Sequence, residues 1–120
     1  MAKKTQNRRT GDRGERRTAL YLILRGYRIL ERNYTYGHKE IDIIASRGKV
    51  LAFVEVKTRS DVTLIKPQSA VTAEKMNNLI VAAKGYCLKH DILKKSIRFD
   101  ISEVPVKGKI HYIKNAFSGR

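Results

Sequence analysis

The chain has 120 residues, 42% of them hydrophobic and 31% charged, a composition that excludes a disordered segment and suits one folded domain. Its 26 Lys and Arg against 11 Asp and Glu leave a formal net charge of +15, a field that selects polyanions, nucleic acid first. No apolar run nears the roughly 18 residues of a membrane span, and "MAKKTQNRRT" lacks a signal-peptide core, so a cytoplasmic protein with no membrane contact is expected.

Residues 1–10 carry Lys3, Lys4, Arg8 and Arg9 without an acid and read as a flexible basic tail before an α/β domain over 11–120. Asp12 and Glu15, three apart, predict a capping-box start for a first helix, with Ala19, Leu22, Ile23 and Gly26 at helical spacing and Gly26 at its end. "YRILERNY" reads as a strand, Tyr27, Ile29 and Glu31 alternating with Arg28, Leu30 and Arg32. Two hairpin strands follow, at about 38–46 and 49–58. "SDVTLIKPQS" is a loop, because Pro67 breaks any ladder. A second helix runs over "TAEKMNNLIVAAKGYCLKH", with Thr72 as N-cap, Glu74 in its first turn, and Met76, Leu79, Ile80, Ala83, Cys87 and Leu88 as its apolar stripe. Gly85 falls inside it and is expected to loosen its last turns. Cys87 is the single cysteine, which excludes an internal disulfide and suits a reducing compartment; it reads as a small core residue. "SIRFDISEV" and "KIHYIKNAF" alternate like strands around a turn at Lys107-Gly108. The expected fold is a single α/β domain, a mixed central sheet flanked by helices in the order αβββαββ.

The hairpin "EIDIIASRGKVLAFVEVK" (Glu40–Lys57) concentrates the chemistry. With the turn centred on Arg47-Gly48, Ser46 pairs with Lys49, Glu40 lies opposite Glu55, Asp42 opposite Phe53 and His38 opposite Lys57. Ile41, Ile43, Ala45, Ala52, Val54 and Val56 then form one apolar face. The other face carries Ile44, Leu51 and Phe53 near the turn and Glu40, Asp42, Glu55 and Lys57 beyond them. Opposed carboxylates repel, and partial burial adds to the cost. A divalent cation reverses that sign, since Mg²⁺ and Mn²⁺ require hard oxygen ligands. The competing reading has Lys57 and nearby arginines neutralising exposed acids at a sheet edge. A Glu-Val-Lys that follows an Asp on the same face, in so basic a protein, favours the cation. Glu15 shares the inward face of the first helix and keeps two readings: the cap with Asp12, or a carboxylate aimed at this acidic end.

These residues resemble the PD-(D/E)XK nuclease superfamily, whose core is a helix followed by a mixed sheet, and more closely the bacterial YraN-like family of endonuclease-like proteins. The likeness runs from about Gly14 to Phe117. It rests on "GERRTALYLILRGYRILERNY", "EIDIIA", "FVEVKTR", then Ala70, Val71 and Lys75, "RFDI" and "NAF". It implies a restriction-endonuclease-like fold, with Asp42 and Glu55 as metal ligands, Lys57 as the catalytic lysine and Glu15 as the helix carboxylate of junction-resolvase-like members. Lys39 departs from the family's usual glycine, and the glycine expected near Ile65 is missing.

The implied activity is Mg²⁺- or Mn²⁺-dependent hydrolysis of phosphodiester bonds in DNA, branched DNA included, with the Val56 carbonyl joining the ligands. Lys57 would orient the water or stabilise charge at phosphorus. Glu40, Gln68 and His38 are candidates for positioning. Arg13, Arg16, Arg17, Lys39, Arg59 and Lys75 are candidates for phosphate contact, and a homodimer is one expected assembly. The alternative is a non-catalytic nucleic-acid-binding module that keeps the nuclease fold. Asp42, Glu55 and Lys57 together favour the enzyme, because a pure binder has no use for acids beside phosphate.

Overall fold

Leu51 to Val54 are four successive apolar residues, the pattern of a strand covered on both faces. In the computed structural model all four are buried at the centre of a five-stranded sheet. The structure describes residues 5–59, 72–90, 92 and 95–118, with the side chains of the first helix from residue 12 onward. The elements are α1 (Thr5–Ile23), β1 (Arg28–Tyr36), β2 (Lys39–Arg47), β3 (Val50–Arg59), α2 (Ala73–Lys89), β4 (Ser96–Pro105) and β5 (His111–Phe117), the expected αβββαββ order. The strands lie in chain order across the sheet. All neighbours are antiparallel except β3 and β4, which are parallel and joined through α2, the crossover that a parallel pair requires.

The two helices cover opposite faces. Ala19, Leu22 and Tyr27 pack on Ile43, Ala45, Ala52 and Val54. Leu79, Ala82, Ala83 and Tyr86 pack on Ile44, Leu51, Phe53 and Phe99, and Ile41 joins this second cluster instead of the first, where strict alternation had put it. The core differs from the sequence reading at helix edges. Ile23 and Leu88 are exposed although both fit the apolar spacing, whereas Tyr86 is buried and edge-on to Tyr34 and Phe53. The two cores are narrower than the stripes, so the flanking positions of each stripe stay in water.

Helix α1 starts at Thr5, so Asp12 lies inside it and does not cap it, and residues 5–10 of the expected tail are helical. Thr72 does cap α2, accepting the Lys75 N–H at 3.2 Å. The expected loop over 60–69, with Gln68, lies outside the described residues, as do Ile65, Ala70 and Val71. No helix among the described residues is long and apolar enough to cross a membrane.

The "RFDI" and "NAF" motifs meet in a buried network. Asp100 is fully buried and accepts from Arg98 (Nε 3.0 Å, Nη2 2.9 Å), from Tyr112 Oη at 2.6 Å and from the Asn115 N–H at 2.9 Å. The last bond holds the irregular β4–β5 pairing between Phe99 and Ile101, where Asn115 has a φ of 55°. A buried carboxylate needs such full satisfaction. These motif residues build the sheet.

Gly85 does not loosen α2. It is buried against the Tyr36 ring, which a Cβ at this position would overlap. In an exposed helix interior, Gly→Ala stabilises by about 1 kcal/mol. Here Gly85→Ala is expected to lower stability by about 1 kcal/mol, the overpacking outweighing the propensity gain. In a Tyr36→Ala background the same change should stabilise. Urea unfolding of the four proteins checks the cycle, and equal effects in both backgrounds would refute the contact.

Candidate active site

The β2–β3 ladder runs from Arg47↔Val50 to Ile43↔Val54, so the turn is Gly48-Lys49 and the strands are slipped by two residues from the expected register. A slip of two keeps the paired side chains on their faces, and Ile41, beyond the last pair, is the one that departs from the expected face. It changes the neighbours, however: Asp42 and Glu55 stand directly beyond the last pair, and neither Glu40–Glu55 nor His38–Lys57 is paired. The Asp42 carboxylate takes over from the ladder, its Oδ2 accepting the Val56 N–H at 2.8 Å. In a strand, a residue's N–H and C=O leave on the same side. The Val56 carbonyl therefore points toward the same gap as Asp42. Phe53, Glu55 and Lys57 alternate along one face of β3, and that face is the one α2 covers.

Burial, then the neighbouring Glu55 charge, push the Asp42 carboxyl up from 3.8 to about 7, with Glu15 and Glu40 adding to the rise and the Val56 bond opposing it. Lys57 is pushed below the usual lysine range by burial, then by Lys75, against the pull of Glu55. Lys75, in the first turn of α2, donates from Nζ to Glu55 Oε2 at 3.1 Å and lies close enough to Lys57 for the two charges to act on each other. Burial works against its charge, but Glu55 outweighs that and raises it.

Glu15 reaches the site from the α1 side. Gly14 makes this approach close, since a Cβ there would overlap Thr58 of β3. Glu15 is buried, and Arg32 Nη2 donates to its Oε1 at 3.3 Å, so its partner is not the Asp12 cap. Burial raises the Glu15 carboxyl, and Arg32 holds it back. Arg32 arrives there through a β-bulge: Ile29 pairs with Ala45 but Glu31 with Ile44. Without the extra residue Arg32 would have shared a face with Leu30, as the alternation predicted.

The other expected residues divide. Arg13 and Arg16 are exposed and, with Asp12, Arg32 and Asn33, line an open hollow of about 330 Å³ beside Glu15. Arg17 points elsewhere, donating to the Pro105 carbonyl at 2.7 Å and the Gly108 carbonyl at 2.6 Å. Arg59 is buried, 3.7 Å from the Glu103 carboxylate. His38 sits exposed in the β1–β2 turn, Lys39 pairs with Tyr36, and Glu40 is exposed opposite Thr35. The sequence reading missed Arg32, since a bulge leaves no period to detect. It also missed that Lys75 meets Glu55.

The donor set suits a hard divalent cation. Two carboxylates raise each other's cost in a half-buried gap that a backbone oxygen also faces, an arrangement that a positive charge relieves. Among the described residues no three His, Cys, Asp or Glu side chains form a metal-holding group. A cation here would take two carboxylates, backbone oxygen and solvent, as Mg²⁺ commonly does.

The model of uncharacterised protein family UPF0102 matches residues 14–104. A UPF0102 protein of Alkaliphilus metalliredigens is 43% identical over 109 residues, covering 89% of this chain and 96% of that protein. One from Dictyoglomus turgidum is 40% identical over 116 residues, covering 92% and 98%. Among solved structures, Archaeoglobus fulgidus Hjc, a Holliday junction resolvase from an archaeal hyperthermophile, superposes with a TM-score of 0.59 at 20% identity, covering 87% of this chain and 71% of its own. The sheet order and flanking helices are thus those of a resolvase-like, restriction-endonuclease-like fold.

Proposed function

The chain belongs to uncharacterised protein family UPF0102, whose name assigns no chemistry, and we propose that it is a metal-dependent nuclease that hydrolyses phosphodiester bonds in DNA, branched DNA included. The observation that carries this reading is the meeting of Asp42, Glu55 and Lys57 at one end of β3, with Asp42 pushed up to about 7. A scaffold gains nothing from that cost.

In this reading the Asp42 and Glu55 carboxylates and the Val56 carbonyl hold Mg²⁺ or Mn²⁺. When bound, the cation supplies a positive charge against the phosphate and makes water a better nucleophile. Lys57 places its amine beside the same phosphate, where it orients the attacking water or meets the charge that develops on phosphorus. Glu15 acts from the α1 side, held by Arg32. Arg13 and Arg16 line the hollow next to it and take backbone phosphates, whereas Arg17 and Arg59 are occupied within the fold. The resolvase named among the similar structures makes branched DNA the first substrate to test.

The test is a cleavage panel of linear, flapped and four-way DNA with Mg²⁺ or Mn²⁺. Cleavage of at least one substrate, lost in Asp42→Ala and Glu55→Ala, is the expected outcome. Binding without cleavage of any substrate would favour the non-catalytic module. Affinity itself should fall steeply with salt, by roughly a thousandfold from 50 to 200 mM if about six phosphates are neutralised. Fluorescence anisotropy measures the slope, and a flat one would remove nucleic acid as the partner.

A further inference from the structure

Lys75 stands where a simple phosphate contact would not. Its Nζ is 3.1 Å from Glu55 Oε2, and its charge also acts on Lys57, so one ammonium stands between the acid and the lysine of the candidate site. Its backbone is fixed, because Thr72 accepts the Lys75 N–H. Its side chain is not: it is 49% exposed, against 12% for Glu55.

We propose that Lys75 is the internal counter-ion of the metal site, competing with the divalent cation for Glu55 and leaving the carboxylate when the cation binds. The inference rests on the metal-dependent reading above. Charge decides the direction. A divalent cation on Glu55 with Lys75 still in contact would place like charges within a few ångströms in a partly buried gap, where solvent screens their repulsion poorly. A half-exposed lysine on a four-carbon stem escapes that repulsion by swinging into water. Lys57, held on the central strand, has less freedom to do so. The released ammonium remains at the mouth of the site, where a nucleic-acid phosphate can take it. Lys75 thus sets metal affinity first and contributes to DNA binding second.

The opposite arrangement is also chemically coherent. Lys75 could steady one Glu55 oxygen while the other binds metal, and then its loss would weaken metal binding. The sign of one measurement separates the two. Mn²⁺ binding to the full chain, without DNA, is followed by electron paramagnetic resonance for the parent, Lys75→Ala, Lys75→Gln and Lys75→Arg. Thermal melts verify that each variant is folded. Competition predicts that Lys75→Ala and Lys75→Gln bind Mn²⁺ about fivefold tighter or more, and that Lys75→Arg, which keeps the charge, does not. Unchanged or weaker binding in the neutral variants overturns the counter-ion role while leaving the metal site itself intact. If the parent binds no Mn²⁺ at all, the metal-dependent reading fails and this inference fails with it.

Discussion

Lys57→Ala is expected to lose cleavage by about a hundredfold or more, the scale of removing one donor that stabilises a transition state. Mn²⁺ binding should not weaken, and DNA affinity should change little, since the substitution removes one of 26 basic residues. The geometry sets this separation. Lys57 lies two residues after Glu55 on β3, so both side chains leave the same face, and the Glu55 and Lys75 charges that act on its amine place it within the cluster. Burial and Lys75 lower its pKa, so it releases a proton more readily than an exposed lysine does. A single-turnover assay on the substrate that the panel selects reads the rate, and EPR and anisotropy read the two affinities. If Lys57→Ala cleaves as fast as the parent, the nuclease survives but its catalytic lysine is misassigned. A fall in metal binding that matches the fall in rate would instead make Lys57 part of the cation site.

The features legible in the sequence were those with a period. The alternating hairpin gave Glu55 and Lys57 a common face and brought Asp42 beside Glu55, which a register error of two residues leaves in place, although Ile41 departs from the alternation. The N-cap Thr72 was legible because caps are local chemistry. What failed had no local signature. The bulge that brings Arg32 to Glu15 adds one residue to a strand that still reads as alternating. Asp12 and Glu15 formed a plausible capping box, yet α1 continues upstream to Thr5 and the box has no helix end to cap. Gly85 read as a weak point of α2 because the ring packed on it, Tyr36, lies 49 residues away.

The buried acids show a further limit. Asp100 with Arg98 and Tyr112 has the residue types of a catalytic cluster, but every bond the structure gives that carboxylate comes from within the sheet. Asp42 has one such bond, to Val56, and three carboxylates, Glu55, Glu15 and Glu40, whose charges press on it. Both are acids on strands in a basic protein. Only the direction of their neighbours distinguishes a satisfied carboxylate from a poised one.

That difference gives Asp42 a testable pH signature. Its pKa in the fold, about 7, lies above the usual 3.8, so the folded chain holds this proton more tightly than the unfolded chain does. Without metal, stability should therefore fall as pH rises from about 4 to about 7, and flatten outside that window, where both states are protonated or both ionised. The full shift corresponds to at most about 4 kcal/mol, less where water reaches the carboxylate. Burial raises Glu15 as well, which adds to the same trend, so the comparison must be between variants. Asp42→Asn is the informative one, because its amide oxygen can still accept the Val56 N–H. Asp42→Ala would leave that N–H unpaired, at a cost of about 1–3 kcal/mol that masks the relief. In EDTA, Asp42→Asn should match the parent near pH 4 and exceed it by about 2 kcal/mol near pH 8 in urea unfolding. Saturating Mn²⁺ should then stabilise the parent and leave the Asn variant nearly unmoved, since only a binding-competent fold gains from ligand. A variant less stable than the parent at pH 8 would mean that the ionised Asp42 carboxylate holds the fold together, and the case for a cation at this end of β3 would go with it.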